Sequence, residues 1–304
     1  MRNIHYLISL LIGALMLMCS CNTCSRPQTN IEGITIDLAD LAIDPTFINM
    51  AHNAIYALPT PIELTVLIKN SGISFQPSLL NDPSSASKYL TNRKMALNFG
   101  VYVTDLTYAG LFEQSQTVLR YKHALLQMTD GLGLRSAISP NIMQQLDANI
   151  NDKNAVLKII ADTYVSCTAS LNEDDRYSLT LSILIGCWVE GMYIATGMTD
   201  EKLDSDKDRM NQLVINMKLT FDMIWQAMSK LKDLPEVSDL MNEMSALAQL
   251  VNQVTVDQTP NEVTPDDDGK TSNIASTSIH NVTPEVYVQI KEQISILRDN
   301  FIKK

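Results

Sequence analysis

Two stretches of the chain, residues 95–112 and 179–194, are apolar around nearly the whole circumference that a helix would present. A helix with this pattern is buried on most of its sides. We therefore predict that the two helices lie side by side at the centre of the fold. Ser182 and Gly186, four residues apart on the second helix, are small enough to let the two backbones approach closely.

The polar residues inside these stretches are few, and they are not scattered. Asn98, Tyr102 and Asp105 recur at i, i+4 and i+7, which places them on one face of the first helix. Glu190 is the acidic residue of the second helix, and a buried carboxylate must be paired, hydrogen-bonded or protonated. We expect these four residues to form a buried polar network that fixes the helix register. The candidate counter-charges are Lys69, Lys94 and Lys122, with tyrosine hydroxyls as further candidate partners.

Apolar positions at intervals of three and four residues predict the other helices. Asp82-Pro83, a capping acid followed by proline, predicts the start of a long central helix that ends near residue 109, and Thr283-Pro284 predicts the start of a final helix. The remaining helices are predicted at about residues 45–58, 62–69, 113–130, 139–150, 152–171, 173–196, 210–231 and 237–251. The predicted fold is all-α, an irregular multi-helix bundle of about eight to ten helices around two central apolar helices.

Residues 34–304 are predicted to form a single helical domain. Within it, residues 254–282 are rich in Thr, Asp, Asn, Ser and Pro and have little to bury, so we predict a long mobile loop without strands. Residues 21–33 are polar and without periodicity, which is typical of a flexible tether.

The N-terminus has the pattern of an export signal. Arg2 precedes an apolar run over residues 6–18, which is too short to span a bilayer comfortably. The Met-Cys-Ser sequence before Cys21 resembles a bacterial lipobox. We expect residues 1–20 to be a lipoprotein signal peptide and Cys21 to carry the lipid, which would anchor the protein to a membrane of the cell envelope. A plain secretory signal is the alternative.

The sequence after Cys21 bears on which side of the envelope the protein faces. It lacks the acidic run that is often linked to surface export. A periplasm-facing position is therefore favoured over the cell surface.

The composition and the absence of certain motifs argue against several classes of binding partner. The net charge of −11 argues against a nucleic-acid partner, which would require basic patches. The four histidines are dispersed, and the folded part contains no metal-binding motif, so we predict neither a metal site nor a cofactor. Asp204, Asp206 and Asp208 resemble the start of a calcium loop, but Arg209 and Ile215 occupy the positions that require glycine and a carboxylate.

Cys167 and Cys187 are candidates for a disulfide, since an envelope location permits one. If they lie on consecutive antiparallel helices joined near residues 171–174, their offset along the helix axes is on the order of 13 Å. A disulfide cannot bridge that offset. We therefore predict two unpaired, buried thiols.

Two segments carry a resemblance to a known family. Residues 96–108 are Ala-Leu-Asn-Phe-Gly-Val-Tyr-Val-Thr-Asp-Leu-Thr-Tyr, and residues 186–194 are Gly-Cys-Trp-Val-Glu-Gly-Met-Tyr-Ile. With shorter matches between residues 58 and 69, they resemble an uncharacterised family of all-helical Bacteroidetes lipoproteins. The resemblance covers about residues 58–196 and implies an anchored helical envelope protein. It brings no established activity, so no catalytic residue is assigned from it.

Two functional hypotheses follow. The first is a non-enzymatic, lipid-anchored module that binds an envelope protein or an apolar ligand, or that has a structural role. The alternative is a hydrolase that uses Asp105 and Glu190 as an acid and base pair between two helices. An open pocket with these carboxylates about 5–10 Å apart would favour the hydrolase, and a sealed, hydrogen-bonded pair would count against it.

Overall fold

Helix dominates the part of the chain that the computed structural model describes, which is residues 74–198, 207–258, 262–265, 272–275 and 278–303. The predicted all-α class and multi-helix bundle are confirmed. Predictions that concern the signal peptide, the tether, Cys21, Lys69 and the helices before residue 70 lie outside the described residues. So do those that concern Asp204 and Asp206.

Eight α-helices follow one another in the described residues. They are α1 (Asn92–Leu111), α2 (Ser115–Gly131), α3 (Pro140–Ala148), α4 (Lys153–Glu173), α5 (Tyr177–Gly197), α6 (Lys207–Lys230), α7 (Pro235–Val251) and α8 (Pro284–Ile302). Short 3-10 helices occupy Pro77–Leu79, Pro83–Lys88 and Arg135–Ala137.

The long helix predicted after Asp82 is divided in two. Asp82 does cap a helix, because its side chain accepts a backbone hydrogen bond there, but that helix is the 3-10 segment Pro83–Lys88. Helix α1 begins separately, with the Thr91 side chain as its cap. Between the two helices Tyr89 is buried and donates a hydrogen bond from its hydroxyl to the Ile302 carbonyl oxygen. This tertiary contact overrides the local tendency to continue the helix.

The boundary between α4 and α5 also differs from the prediction. Helix α4 continues to Glu173, the residue at which the next helix is predicted to begin, and that helix begins at Tyr177 instead. The turn falls on residues 174–176, where Asp175 has φ of 57°. Aspartate is one of the residues that tolerate this left-handed conformation.

Helix α5 is longer than its most apolar run suggested. It is long and apolar enough to cross a membrane by length and composition alone. However, 89% of its most apolar window is buried inside the protein. A core helix of a soluble domain has the same composition.

Helices α1 and α5 form the centre of the fold and share its most extensive interface. Every residue of α1 from Ala96 to Leu111 is buried, and so is almost all of α5. Helices α2 and α4 pack on α1, while α6 and α7 pack on α5. Helix α8 contacts α1, α5 and α7, so the end of the chain closes over the central pair.

Two glycines bring the backbones of α1 and α5 into contact. A Cβ atom at Gly100 would lie 2.1 Å from the Ile183 carbonyl oxygen, and one at Gly186 would lie 2.0 Å from the Leu97 carbonyl oxygen. Since a Cβ cannot approach a backbone atom this closely, only glycine fits at either position. The close approach predicted at Gly186 is confirmed, and Ser182 is buried beside it.

The region predicted as a long loop contains four short strands. They are β1 (Thr255–Gln258), β2 (Glu262–Pro265), β3 (Ser272–Ala275) and β4 (Ser278–Asn281). Strand β1 pairs antiparallel with β4, and β2 pairs antiparallel with β3. Threonine, valine and isoleucine in these segments favour extended backbone. This finding corrects the prediction of a loop without strands, while the fold class stays all-α.

Cys167 and Cys187 are both unpaired and buried, as predicted. Burial raises the pKa of each thiol to about 12, so both stay protonated at neutral pH. They are therefore core residues, without the thiolate character that a reactive cysteine needs.

We predict that Gly186→Ala lowers the free energy of unfolding by about 2–4 kcal/mol, because the added methyl group pushes α1 and α5 apart along their whole interface. Urea denaturation followed by circular dichroism measures the change. Gly131→Ala is the matched control, since its Cβ would meet only the flexible end of the Met95 side chain. Equal stability of the Gly186 variant and the wild type would show that the backbones do not touch.

Candidate functional site

The polar face of α1 binds backbone groups that belong to other segments. The Asn98 side-chain amide donates to the carbonyl oxygen of Phe301, at the end of α8, over 2.8 Å. The Tyr102 hydroxyl donates to the Asp82 carbonyl oxygen over 2.8 Å. These two predicted network residues therefore attach neighbouring segments to α1, and neither is hydrogen-bonded to Glu190.

Asp105 and Glu190 do come together. Asp105 Oδ2 accepts a hydrogen bond of 3.1 Å from the Asn81 amide, and the two carboxyl groups share a hydrogen bond with each other. Both side chains are completely buried, at 0% exposure. Two carboxyl groups in contact without water require a counter-charge, a proton or both.

Arg298 of α8 supplies the counter-charge. Its Nε and Nη2 atoms donate to the two carboxylate oxygens of Glu190 over 3.0 and 3.1 Å. Nη2 also donates to the Leu79 carbonyl oxygen, and the guanidinium lies 4.5 Å from the centre of the Tyr193 ring. This two-point pairing is the strong geometry for arginine and carboxylate. Glu190 is therefore the ionised member of the acid pair.

Asp105 is the protonated member. Its Oδ1 atom has no hydrogen-bond donor among the described residues, which is costly for a buried acceptor but suits an atom that carries a proton itself. Burial raises the pKa of the Asp105 carboxyl well above its usual range, and the nearby Glu190 charge raises it further. Burial also raises the pKa of Glu190, but the Arg298 charge opposes that shift. The arrangement is a neutral acid that donates to a carboxylate held by arginine.

Of the counter-charges proposed from the sequence, Lys69 lies outside the described residues, and Lys94 and Lys122 contact other groups. The Lys94 ammonium donates to the carbonyl oxygens of Asn300 and Lys303, and Lys122 pairs with Asp147. A signal for the correct partner was available in the periodicity of α8. The buried positions of that helix include Ile290, Ile294, Leu297 and Phe301, and Arg298 falls on the same face.

Asn81 connects this acid pair to three tyrosines. Its carbonyl oxygen accepts from the Tyr121 hydroxyl over 2.6 Å, and its side-chain amide donates to the Tyr89 hydroxyl over 3.2 Å. Tyr102 lies next to both of these rings, with its centroid 6.3 Å from that of Tyr89 and 5.7 Å from that of Tyr121. The sequence placed Asn81 in a plain connector, yet it joins the segment before α1 to the core through both its backbone and its side chain.

The acid pair is closed to solvent. Neither carboxyl group lines a described pocket, and both are hydrogen-bonded to neighbours in the core. A hydrolase that uses Asp105 and Glu190 needs a water molecule and a substrate beside them. The geometry therefore meets the condition that counts against the hydrolase alternative. Within the described ranges, no group of three or more metal-ligating side chains is placed to hold an ion.

An apolar pocket lies elsewhere, between α1, α2, α3 and α4. Its empty volume is about 450 Å³, including the space at its mouth. Phe99 and Val103 of α1, Leu125 of α2 and Ile160 of α4 form much of its wall. Ligand sites in proteins show this predominance of apolar side chains. The pocket leaves no pattern along the chain, because residues from four separate helices form it.

Two polar side chains of this pocket stand out. Lys122 is 8% exposed, and its ammonium pairs with Asp147, whose side chain is 52% exposed. The Tyr164 hydroxyl is buried and has no hydrogen-bond partner in the part of the chain that is described. Burial and the neighbouring Cys187 raise the pKa of this hydroxyl. The pocket thus has a cation near the surface and an uncharged polar group deeper inside.

Comparisons with known proteins identify no relative for this site. No family model, no curated protein and no solved structure matches the chain.

We predict that Asp105→Asn changes the pH dependence of stability. The folded protein holds a proton on Asp105 that the unfolded chain releases, so the stability is fully present below the ordinary pKa of 3.8 and is lost as pH rises toward the folded-state pKa. This loss amounts to as much as about 1.4 kcal/mol per pH unit. An asparagine amide donates to Glu190 without a proton to lose, so the variant is expected to gain stability over the wild type as pH rises.

Urea denaturation of both proteins across a series from acidic to neutral pH measures this difference. Glu190→Gln is the comparison variant, because it removes the partner of Arg298 and is expected to be less stable than wild type at every pH. Parallel stability profiles for the Asp105 variant and the wild type would mean that Asp105 is ionised in the folded protein.

Proposed function

We propose that this chain is a lipid-anchored helical protein of the cell envelope, and that it acts by binding and not by catalysis. The proposal depends on one observation, which is that the buried acid pair and the apolar pocket are separate from each other. The buried acids are sealed and neutralised within the core, whereas the pocket is apolar and without an acid and base pair. Such a pocket suits recognition of an apolar group.

The two segments that resemble the Bacteroidetes family support this proposal. Gly100 and Gly186 form the contact between the central helices, and Glu190 holds Arg298. The Trp188 ring nitrogen donates to the Thr220 hydroxyl over 2.8 Å. The distinctive residues of both segments are therefore accounted for by packing and hydrogen bonding. None of them is left exposed for chemistry with a substrate.

The anchor is supported by the N-terminal pattern. A charged residue, a short apolar run and a small residue before Cys21 are what lipoprotein export and acylation require. A tether over residues 21–33 would let the helical domain stand off from the membrane. We further propose that the domain faces the periplasm, where it would meet either an envelope protein or an apolar ligand.

We predict that radiolabelled palmitate is incorporated into the wild-type protein and is lost in Cys21→Ala, since Cys21 is the proposed attachment site. Cells that express each variant are labelled, and the protein is isolated and assayed for the label. Cys24→Ala is the matched control and is expected to keep the label. Label that persists in the Cys21 variant would overturn the proposed anchor.

We also predict that native mass spectrometry of the protein purified from its own membrane detects a bound protein or apolar molecule, because binding is its proposed role. The wild-type mass should exceed the mass of the lipidated chain alone. A spectrum that contains only the lipidated chain would contradict a binding function. Fractionation of the same membranes tests whether the domain is accessible from the periplasm.

A further inference from the structure

We propose that the apolar pocket between α1, α2, α3 and α4 binds the alkyl chain of a free fatty acid, with the carboxylate of that acid held by Lys122. This inference rests on the proposed binding function and gives it a ligand class and a site. It depends on the chemistry of the pocket wall, on the one charged side chain in that wall and on the size of the space.

The wall favours a hydrocarbon chain. Of the side chains that line the pocket, only Lys122, Thr163 and Tyr164 are polar. The Thr163 hydroxyl is already occupied, since it donates to the Ile159 carbonyl oxygen over 2.7 Å. A sugar, nucleotide or peptide group would lose its hydrogen bonds with water on entering such a space. An alkyl chain loses none, and it gains from leaving water.

The charged residue of the wall favours an anionic head group. Lys122 is the one basic side chain among the residues that line the pocket, and there is no acidic side chain among them. A lysine ammonium has three donors, and the described contacts use one of them, on Asp147. Since Asp147 is half exposed, this ion pair lies near solvent. A carboxylate bound there would share the lysine with Asp147 and keep partial contact with water.

The deeper polar group does not suit the carboxylate. Tyr164 is 7% exposed, and no cation lies beside its hydroxyl among the pocket residues. A carboxylate placed there would be buried without a counter-charge, which is strongly unfavourable. The acid is therefore oriented with its head group at Lys122 and its chain directed inward.

The size of the space favours one chain. Apart from the open space at its mouth, the cavity volume is only about 40 Å³, so the enclosed space is narrow. A single alkyl chain matches such a space. A phospholipid, with two chains and a larger head group, does not.

Photolabelling tests this inference on the full chain in its own membrane. The probe is dodecanoic acid with a diazirine at the middle of its chain, and labelled peptides are located by mass spectrometry after proteolysis. We expect labels on α3 and α4 residues that line the pocket. Unlabelled dodecanoic acid should compete about tenfold or more better than dodecanol, because only the acid forms a charge-assisted hydrogen bond with Lys122.

Three variants locate the two ends of the ligand. Met143→Trp places a large ring at the half-buried rim of the pocket and should abolish the labelling. Lys122→Met keeps the apolar stem of the lysine and should remove the preference for the acid over the alcohol. Lys158→Met, at an exposed lysine of α4 outside the pocket wall, is the matched control and should leave both the labelling and the preference unchanged.

The remaining outcomes overturn the inference. Labelling that survives in Met143→Trp would place the chain outside the pocket. A loss of the preference for the acid in a Tyr164→Phe variant, but not in Lys122→Met, would reverse the proposed orientation. If the pocket is never labelled while native mass spectrometry finds another partner, the ligand class is wrong and the binding function stands. If neither experiment finds a bound molecule, the proposed function itself fails.

Discussion

The contact between the backbones of α1 and α5 is the constraint on which the rest of the structure depends. Gly100 and Gly186 each face a carbonyl oxygen of the opposite helix, at distances that leave no room for a side chain. Such a contact fixes the register of the two helices, because a shift along either axis would bring a bulkier residue to the crossing. The register in turn determines which polar groups meet. It brings Asp105 to Glu190, and it lets the Thr104 hydroxyl donate to the Cys187 carbonyl oxygen over 3.2 Å.

The two buried acids are stabilised only by residues from parts of the chain that are distant in sequence. Glu190 is ionised because Arg298 of α8 reaches it across 108 residues. Asp105 is neutral because one cation cannot compensate two adjacent carboxylates in a dry core. The same face of α1 also binds backbone groups of the segment before α1 and of the end of α8. Both ends of the described domain are therefore attached to one helix. The polar network thus helps to fix the path of the chain around α1.

Much of the fold follows from patterns along the chain, because helix burial leaves a period of three to four residues that local sequence records. The two central helices, the caps at Asp82 and Thr283 and the burial of both cysteines are of this kind. The structural features that local sequence does not predict depend on contacts between distant segments. The break before α1 follows from the burial of Tyr89, and the strands after α7 follow from pairing between residues 7 to 26 positions apart. The pocket cannot be predicted from local sequence patterns for the same reason, since four helices contribute to it.

The route by which a ligand would enter the pocket depends on which of the surrounding helices is held least firmly. Helix α3 has nine residues, and Leu146 is its one buried side chain. Its main helix contact is with α4, whereas α1 and α5 are enclosed by neighbours on most sides. Elements with few buried contacts open at a much lower free energy than the core does. Displacement of α3 would therefore uncover the pocket without disturbing the glycine contact or the acid pair. Helix α1 belongs to both the core and the pocket, since its Gly100 and Asp105 hold the core together while its Phe99 and Val103 line the pocket, so the mobile side of the pocket is the one formed by α3.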